Sequence, residues 1–146
     1  KCSNWVNIIP VLPDGKIVLI EQQRFGVGTH VLEVPGGSVF RDEKDLTMSA
    51  VRELEEETGL TSKKILALSG FYPNPAIQGN RVTYFIAFDC TPLEKPVEHN
   101  DPFEEIKLHV VDKSEAISMA RSGRISHALS ALALLVAEPY LTTRGN

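Results

Sequence analysis

The sequence predicts an α/β (α+β) fold in which a mixed β-sheet lies between helices. Two kinds of apolar spacing alternate along the 146 residues, one typical of strands and one typical of helices. The two kinds of segment are interspersed without a regular βαβ repeat, which favours an α/β/α sandwich of helices around a mixed sheet. The length suits one domain with a core of ordinary size, so we expect residues 1–146 to form a single domain.

The N-terminal third reads as strands joined by turns. Asn7–Val11 and Lys16–Glu21 are apolar runs on either side of Pro13-Asp14-Gly15, which predicts a strand–turn–strand hairpin. Val31–Val34 is a short strand pattern that ends at Pro35-Gly36-Gly37. A loop should follow these glycines.

Helical spacing begins at Asp45 and continues to Thr58. Gly59 stands where a glycine often ends a helix in the left-handed conformation. Beyond this helix, β-branched and aromatic runs predict strands, and amphipathic or apolar runs predict two more helices. The expected strands are Lys64–Phe71, Arg81–Asp89 and Glu105–Val111, and the expected helices are Ser114–Ser122 and Ile125–Ala137.

Composition excludes several classes of function. The net charge is −4, and the 15 Lys and Arg residues are scattered, so we expect no nucleic-acid partner. No apolar run approaches the roughly 20 residues that span a bilayer, and no secretory leader is visible. Two cysteines are too few for a disulfide framework, which favours the cytoplasm. The four histidines have no metal-ligand spacing, and each, His127 included, is expected to be an ordinary packed or surface residue.

The predicted helix carries a crowded group of carboxylates. Glu53, Glu56 and Glu57 fall within an arc of about 100°, whereas Glu55 points away from them. Like charges at this spacing cost about 0.2–0.5 kcal/mol each, and negative charge in the last turn costs about 0.3–1 kcal/mol. A bound divalent cation removes both penalties, and oxygen ligands select Mg²⁺ or Mn²⁺.

The alternative interpretation of these glutamates is a solvated acidic face, which is the usual meaning of a Glu-rich helix. The glycines at Pro35-Gly36-Gly37 argue against it, because they let backbone groups approach a metal ion or a phosphate closely. Arg52 lies four residues before Glu56 and can hold that carboxylate in place.

The segment from Gly37 to Leu60 resembles the signature of the Nudix hydrolases. That signature is Gly, five residues, Glu, seven residues, then Arg-Glu-apolar-x-Glu-Glu-x-Gly-apolar. Arg52 to Leu60 matches at every defined position, and Glu43 follows Gly37 at the expected distance. Eight residues rather than seven separate Glu43 from Arg52, so the intervening loop contains one extra residue.

The resemblance implies a metal site and a role for each residue of the motif. Glu53 and Glu57 would bind Mg²⁺ directly, and Glu56 would be a ligand or lie next to one. The Gly36 carbonyl would add a further metal contact. Arg52 would orient the glutamates. Arg52, Glu56 and the base discussed below are therefore the predicted catalytic residues.

Almost the whole chain is similar to the ADP-ribose and nucleoside-diphosphate-sugar pyrophosphatase branch of this family. The similarity includes the stretch from Glu21 to Gly28 and Pro75, fifteen residues after Leu60. Arg24, Glu33 and Arg81 are predicted substrate contacts, since a guanidinium can bind a phosphate through two hydrogen bonds. Aromatic side chains could stack on the base or pack in the core; the candidates are Trp5, Phe25 and Tyr72.

In this branch an acidic residue far downstream of the motif often serves as the catalytic base. The candidates are Asp101, Glu104 and Glu105. We favour Glu104, because Glu105 should begin the next strand. The alternative for this cluster is a solvated loop.

The predicted function is therefore Mg²⁺-dependent hydrolysis of the pyrophosphate bond of ADP-ribose or a nucleoside diphosphate sugar, giving a nucleoside monophosphate and a sugar phosphate. Two alternatives stay open: pyrophosphohydrolysis of a nucleoside triphosphate, and a module that binds a nucleotide-sugar without cutting it. The resemblance also implies a homodimer. No membrane partner is expected.

Overall fold

The structure is a computed structural model and describes residues 2–95, 97 and 105–142. It contains nine strands and three helices within these ranges, numbered here in chain order. The strands are β1 Trp5–Pro10, β2 Ile17–Arg24, β3 Thr29–Glu33, β4 Gly36–Ser38, β5 Leu60–Thr61, β6 Lys64–Phe71, β7 Val82–Phe88, β8 Thr91–Pro92 and β9 Lys107–Val111. The helices are α1 Leu46–Thr58, α2 Lys113–Ser122 and α3 Ala128–Thr142. None of the described helices is long and apolar enough to cross a membrane.

The described strands form two larger sheets and one pair. The first sheet has the order β4-β1-β7-β6, the second has the order β3-β2-β9, and β5 pairs with β8. The contact between β1 and β7 is parallel, whereas every other described pairing is antiparallel. The predicted mixed α/β class is therefore confirmed, with the strands divided between sheets.

The predicted N-terminal hairpin is correct at its turn and wrong in its strand pairing. Val11 and Ile17 form an isolated bridge, and the Leu12 amide donates to the Lys16 carbonyl across the turn. Beyond this bridge the strands separate, because β1 pairs with β7 and β4 while β2 pairs with β3 and β9. β1 is buried at five of its six residues, and β2 at its first four residues and at Gln22. Each of them therefore gains more from partners that cover it in its own sheet than from a two-stranded ribbon.

Helix α1 ends at the predicted residue, Thr58, and begins at Leu46, one residue after the predicted start at Asp45. The Asp45 side chain accepts a hydrogen bond from the Thr47 amide and caps the N-terminus. Gly59 adopts φ 68°, and its amide donates to the Glu55 carbonyl, which ends the helix in the left-handed conformation. The last turn of α1 has no basic residue that would complement the negative end of the helix dipole.

The apolar interior consists of two clusters. The larger packs α2 and α3 against β1, β2 and β7, with Tyr84 and Leu134 among its fully buried side chains. The smaller packs α1 against β1 and β7 through Ala50, Leu54 and Phe85. Because Leu54 is fully buried, it fixes the rotation of α1 and directs Glu53, Glu56 and Glu57 towards β1 and β4.

Candidate active site

A cavity of about 490 Å³ brings together residues from both larger sheets, from α1 and from the start of α3. Most of the residues that line it have polar or charged side chains. The lining residues are Trp5, Val6, Asn7, Gln22, Arg24, Glu33, Gly36, Gly37, Ser38, Glu53, Glu56, Glu57, His127 and Leu129. The volume lies within the range of sites for small molecules, roughly 300–1,000 Å³.

The three clustered glutamates of α1 all line this cavity, as their helical spacing predicts. Glu53 is the most buried of them, with 9% of its surface exposed. Glu55 points elsewhere, and its carboxylate accepts a hydrogen bond of 2.7 Å from the Thr61 hydroxyl. We call Glu53, Glu56 and Glu57 the carboxylate end of the cavity.

Arg52 holds two of these carboxylates. Its Nη1 lies 2.8 Å from Glu53 Oε1 and 3.0 Å from Glu56 Oε2, and its Nη2 donates to the Ser38 carbonyl at 3.1 Å. The guanidinium also lies over the Phe40 ring, 4.2 Å from its centroid. Burial by itself would lower the pKa of Arg52, but the charges and hydrogen bonds of Glu53 and Glu56 outweigh burial and raise it. Arg52 therefore stays charged and offsets part of the repulsion between these glutamates.

The glycines of β4 allow α1 to approach the sheet closely. The Gly36 amide donates to Glu57 Oε2 at 2.8 Å. A Cβ atom on Gly37 would lie 2.6 Å from Cδ of Glu53, closer than real contacts allow, and one on Gly36 would overlap the Val6 carbonyl. The Glu53 carboxylate thus occupies the space that a side chain at position 37 would need, which explains the glycine there.

The extra residue after Glu43 does not carry this side chain away from the motif helix. Glu43 Oε2 lies 3.9 Å from Arg52 Nη2. A tight turn holds Glu43 in position, because its amide donates to the Phe40 carbonyl and its carboxylate accepts from the Phe40 amide. Glu43 therefore lies beside Nη2 of Arg52, whereas Glu53 and Glu56 pair with Nη1.

The donor atoms at the carboxylate end suit a divalent cation. Three carboxylates and the Gly36 backbone offer oxygen ligands of the kind that Mg²⁺ prefers. Within the described residues no three His, Cys, Asp or Glu side chains are arranged so that they could hold a metal ion together. Arg52 holds Glu53 and Glu56, and the Gly36 amide holds Glu57. A metal ion would therefore take the place of existing hydrogen bonds, and the carboxylates would turn towards it.

The opposite side of the cavity is built from β2, β3 and the start of α3. Arg24 binds Glu33 through two hydrogen bonds, from Nε to Oε1 at 2.6 Å and from Nη2 to Oε2 at 2.7 Å. The Glu33 side chain is 2% exposed, whereas that of Arg24 is 43% exposed. Arg24 and Glu33, both predicted substrate contacts, thus line the cavity as a pair.

Sequence reasoning missed the role of His127 in this part of the cavity. His127 Nδ1 lies 2.8 Å from Ser130 Oγ and 3.3 Å from Glu33 Oε2. Ser130 Oγ also accepts a hydrogen bond of 3.1 Å from the Val34 amide, so it ties α3 to the end of β3. Burial lowers the pKa of His127, Glu33 opposes this shift, and Arg24 adds to it. The imidazole is therefore mainly neutral at pH 7.

Gln22 is the second residue that the sequence analysis did not identify. It lies on the same face of β2 as Arg24, two residues away, and is 3% exposed. Gln22 belongs to the polar stretch Glu21–Arg24 that ends β2, so the local sequence gives no signal that this side chain is buried. We call Gln22, Arg24, Glu33 and His127 the polar wall of the cavity; Ser130 is fully buried behind it and supports His127.

The other predicted site residues differ in whether they line the cavity. Trp5 lines the cavity, whereas Phe25 and Tyr72 are exposed and lie outside it, so core packing is wrong for these two. Arg81 also lies outside the cavity, where its guanidinium donates to the Gly70 carbonyl and covers the Tyr72 ring. Its role as a substrate contact stays a prediction.

Glu104, the favoured base, and Asp101 lie outside the described residues. Glu105 is described, is exposed and precedes β9 by two residues. The predicted start of a strand at Glu105 is therefore two residues early.

Comparison with known proteins identifies the family. A family model described as the NUDIX domain matches residues 5–129. This match spans most of the chain, and the chain belongs to the NUDIX family and is a Nudix hydrolase. The family that the motif from Gly37 to Leu60 predicts is thereby confirmed.

Among individual relatives, the ADP-ribose pyrophosphatase of Bacillus subtilis (strain 168) is 30% identical over 134 residues, which cover 92% of this chain and 71% of the relative. The mRNA-decapping protein g5R of African swine fever virus is 36% identical over 100 residues, 64% of this chain and 38% of the viral protein. A crystal structure described as an ADP compounds hydrolase superposes with a TM-score of 0.86 at 21% identity, covering 99% of this chain and 76% of that one. The last comparison confirms the fold, and the first confirms the similarity to the ADP-ribose pyrophosphatase branch.

Proposed function

We propose that this Nudix hydrolase cuts the pyrophosphate bond of ADP-ribose or a related nucleoside diphosphate sugar with the help of Mg²⁺, with Mn²⁺ as a substitute. The observation that carries the proposal is the single cavity in which Glu53, Glu56 and Glu57 face a wall that contains Arg24 and Glu33. A diphosphate needs a cation site, and the groups attached to it need polar contacts beside that site. The similarity to an ADP-ribose pyrophosphatase supports this choice of substrate class.

In this proposal Glu53 and Glu57 hold the cation, together with the Gly36 carbonyl, and Glu56 binds it directly or supports the other two. Mg²⁺, when bound, neutralises the charge that builds on the diphosphate as water attacks phosphorus. Arg52 orients Glu53 and Glu56 through its existing ion pairs. Arg24, 43% exposed beside the buried Glu33, can reach the substrate while keeping that partner.

The attacking water also needs a base, and we propose Glu104 for this role on the basis of the sequence alone. Replacing Glu104 with Gln should reduce turnover by orders of magnitude and leave Mg²⁺ binding unchanged, because a carboxamide cannot accept the proton. Parallel substitution of Asp101 and Glu105 identifies the base. If E104Q keeps the wild-type rate, the role belongs to another residue.

A panel assay tests the proposed reaction. The purified protein is incubated with Mg²⁺ and, separately, with ADP-ribose, several nucleoside diphosphate sugars and the common nucleoside triphosphates. Release of a nucleoside monophosphate from the sugar nucleotides is expected. Release of pyrophosphate from triphosphates alone would establish the triphosphate alternative. Binding of sugar nucleotides without any product would establish the binding module.

The metal requirement is measured separately by calorimetry in buffer stripped with a chelator. We expect uptake of Mg²⁺ or Mn²⁺ by the wild-type protein in the presence of ADP-ribose. No uptake, with or without this ligand, would remove the metal from the proposal. The homodimer that the family resemblance implies stays a prediction, which analytical ultracentrifugation checks.

A further inference from the structure

Gln22 is buried in the polar wall without a protein partner. The residue is 3% exposed and lines the cavity. Within the described parts of the chain its carboxamide makes no hydrogen bond and no other polar contact. The described buried side-chain atoms that lack a partner do not include those of Gln22, so its carboxamide faces the open space of the cavity. A ligand in the cavity can therefore supply the hydrogen-bond partner that the protein does not.

His127 presents a second group with an unused hydrogen-bonding atom. Nδ1 faces Ser130 Oγ and Glu33 Oε2, which fixes the orientation of the ring. Nε2 has no partner among the described residues. The side chain is 31% exposed and lines the same cavity as Gln22. The ring is thus anchored through one nitrogen and can offer the other to a ligand.

The chemistry of these two groups favours a sugar over a nucleobase. A base has two flat faces that stack on aromatic rings, and the aromatic side chain among the described lining residues, Trp5, belongs to β1 in the other sheet. Beside Gln22, the same face of β2 and β3 carries Arg24 and Glu33. A sugar hydroxyl both donates and accepts, and a carboxamide can satisfy both roles.

We propose that Gln22 and His127 form a hydroxyl-binding pair that recognises the sugar attached to the diphosphate, and that this pair makes the enzyme select diphosphates bearing a sugar over those without one. The inference rests on the proposed function, since it assumes that a diphosphate occupies the carboxylate end. It adds two specificity-determining residues on the polar wall. Neither residue is assigned a part in the cleavage itself.

Binding measurements with two uncleavable ligands test this pair. One ligand is an ADP-ribose analogue with a methylene group in place of the bridging oxygen, and the other is α,β-methylene ADP, which lacks the sugar. Calorimetry with Mg²⁺ gives both dissociation constants for the wild type, Gln22→Leu, His127→Phe and Gln23→Leu. Leu and Phe keep much of the volume while removing the hydrogen bonds. Gln23 is the matched control, because it lies on the opposite face of β2.

Each substitution in the pair should weaken the sugar-bearing ligand by about 3- to 10-fold and change the sugar-free ligand by less than about 2-fold, as for the loss of a neutral hydrogen bond. Gln23→Leu should change neither. Equal weakening of both ligands would overturn the proposal, because the pair would then contact the nucleoside or the diphosphate. Unchanged affinity for the sugar-bearing ligand would also overturn it.

Two further results keep the test decisive. Circular dichroism shows whether Gln22→Leu folds, and if it does not, His127→Phe decides the outcome, since this side chain is partly exposed. If the wild type binds neither ligand, the proposed function fails, and the inference that depends on it fails as well. If the wild type binds both and the variants do not discriminate, the inference alone fails. In the hydrolysis assay, the variants should raise KM for ADP-ribose and leave kcat near its wild-type value.

Discussion

The carboxylate end and the polar wall of the cavity are assembled from contacts at very different sequence separations. Arg52 and Glu56 are four residues apart on one helix. The hydrogen bond from the Val34 amide to Ser130 joins residues that are 96 positions apart. Helical geometry alone brings the first set together, whereas the second set forms when α3 packs against the sheets. One side of the cavity is therefore encoded locally, and the other depends on the completed fold.

The largest expected effect concerns the carboxylate end. Replacing Glu57 with Gln should reduce hydrolysis of ADP-ribose by more than about 100-fold, because a carboxamide is a poor ligand for Mg²⁺ and even indirect contacts to a metal are worth about 10–100-fold. Glu55→Gln is the matched control on the same helix turn, since Glu55 faces Thr61 and not the cavity. Steady-state kinetics over a range of Mg²⁺ concentrations measure both variants. Equal rates for the two would show that these glutamates are a solvated acidic face.

The second-largest expected effect is a loss of folding stability when the polar wall is altered. Arg24→Leu leaves the Glu33 carboxylate buried beside a neutral side chain and should lower the free energy of unfolding by about 2–3 kcal/mol, less than for a fully buried pair because Arg24 is 43% exposed. Arg121→Leu is the control, since its pairing with Glu138 is on the surface and should contribute less than about 1 kcal/mol. Urea denaturation at pH 7 gives both values. Similar losses for the two variants would mean that Glu33 is solvated.

A third prediction tests whether α3 and β3 depend on each other. Ser130→Ala removes the acceptor of the Val34 amide and should lower the free energy of unfolding by about 1–3 kcal/mol. It also releases His127 Nδ1, so the affinity for the sugar-bearing ligand should fall as well. Ser118→Ala, at an exposed position of α2, is the control. A stable S130A variant that binds this ligand normally would show that the long-range contact is not needed.

The same difference explains what could be predicted from the sequence. The limits of α1, its cap at Gly59 and the orientation of Glu53 away from Glu55 follow from helical periodicity. The local sequence pattern does not determine which strands pair with each other. The sequence therefore predicts a hairpin of β1 and β2, whereas in the structure these strands belong to different sheets. His127 was interpreted as an ordinary residue, because its neighbours Glu33 and Arg24 are about a hundred positions away in the sequence. Contacts at such separations are fixed by packing and leave no local signal.

The smallest effect should come from the most local contact, the Asp45 cap of α1. Asp45→Ala removes the acceptor of the Thr47 amide and should lower the free energy of unfolding by about 1 kcal/mol. The kinetic constants for ADP-ribose should stay unchanged, because Leu54 and the β4 glycines hold the other end of the helix. Asp45→Asn keeps the capping oxygen and should recover most of the stability, which separates the cap from the charge. If D45A lost activity as strongly as E57Q, the carboxylate end would depend on the whole helix and would not be the independent local unit described above.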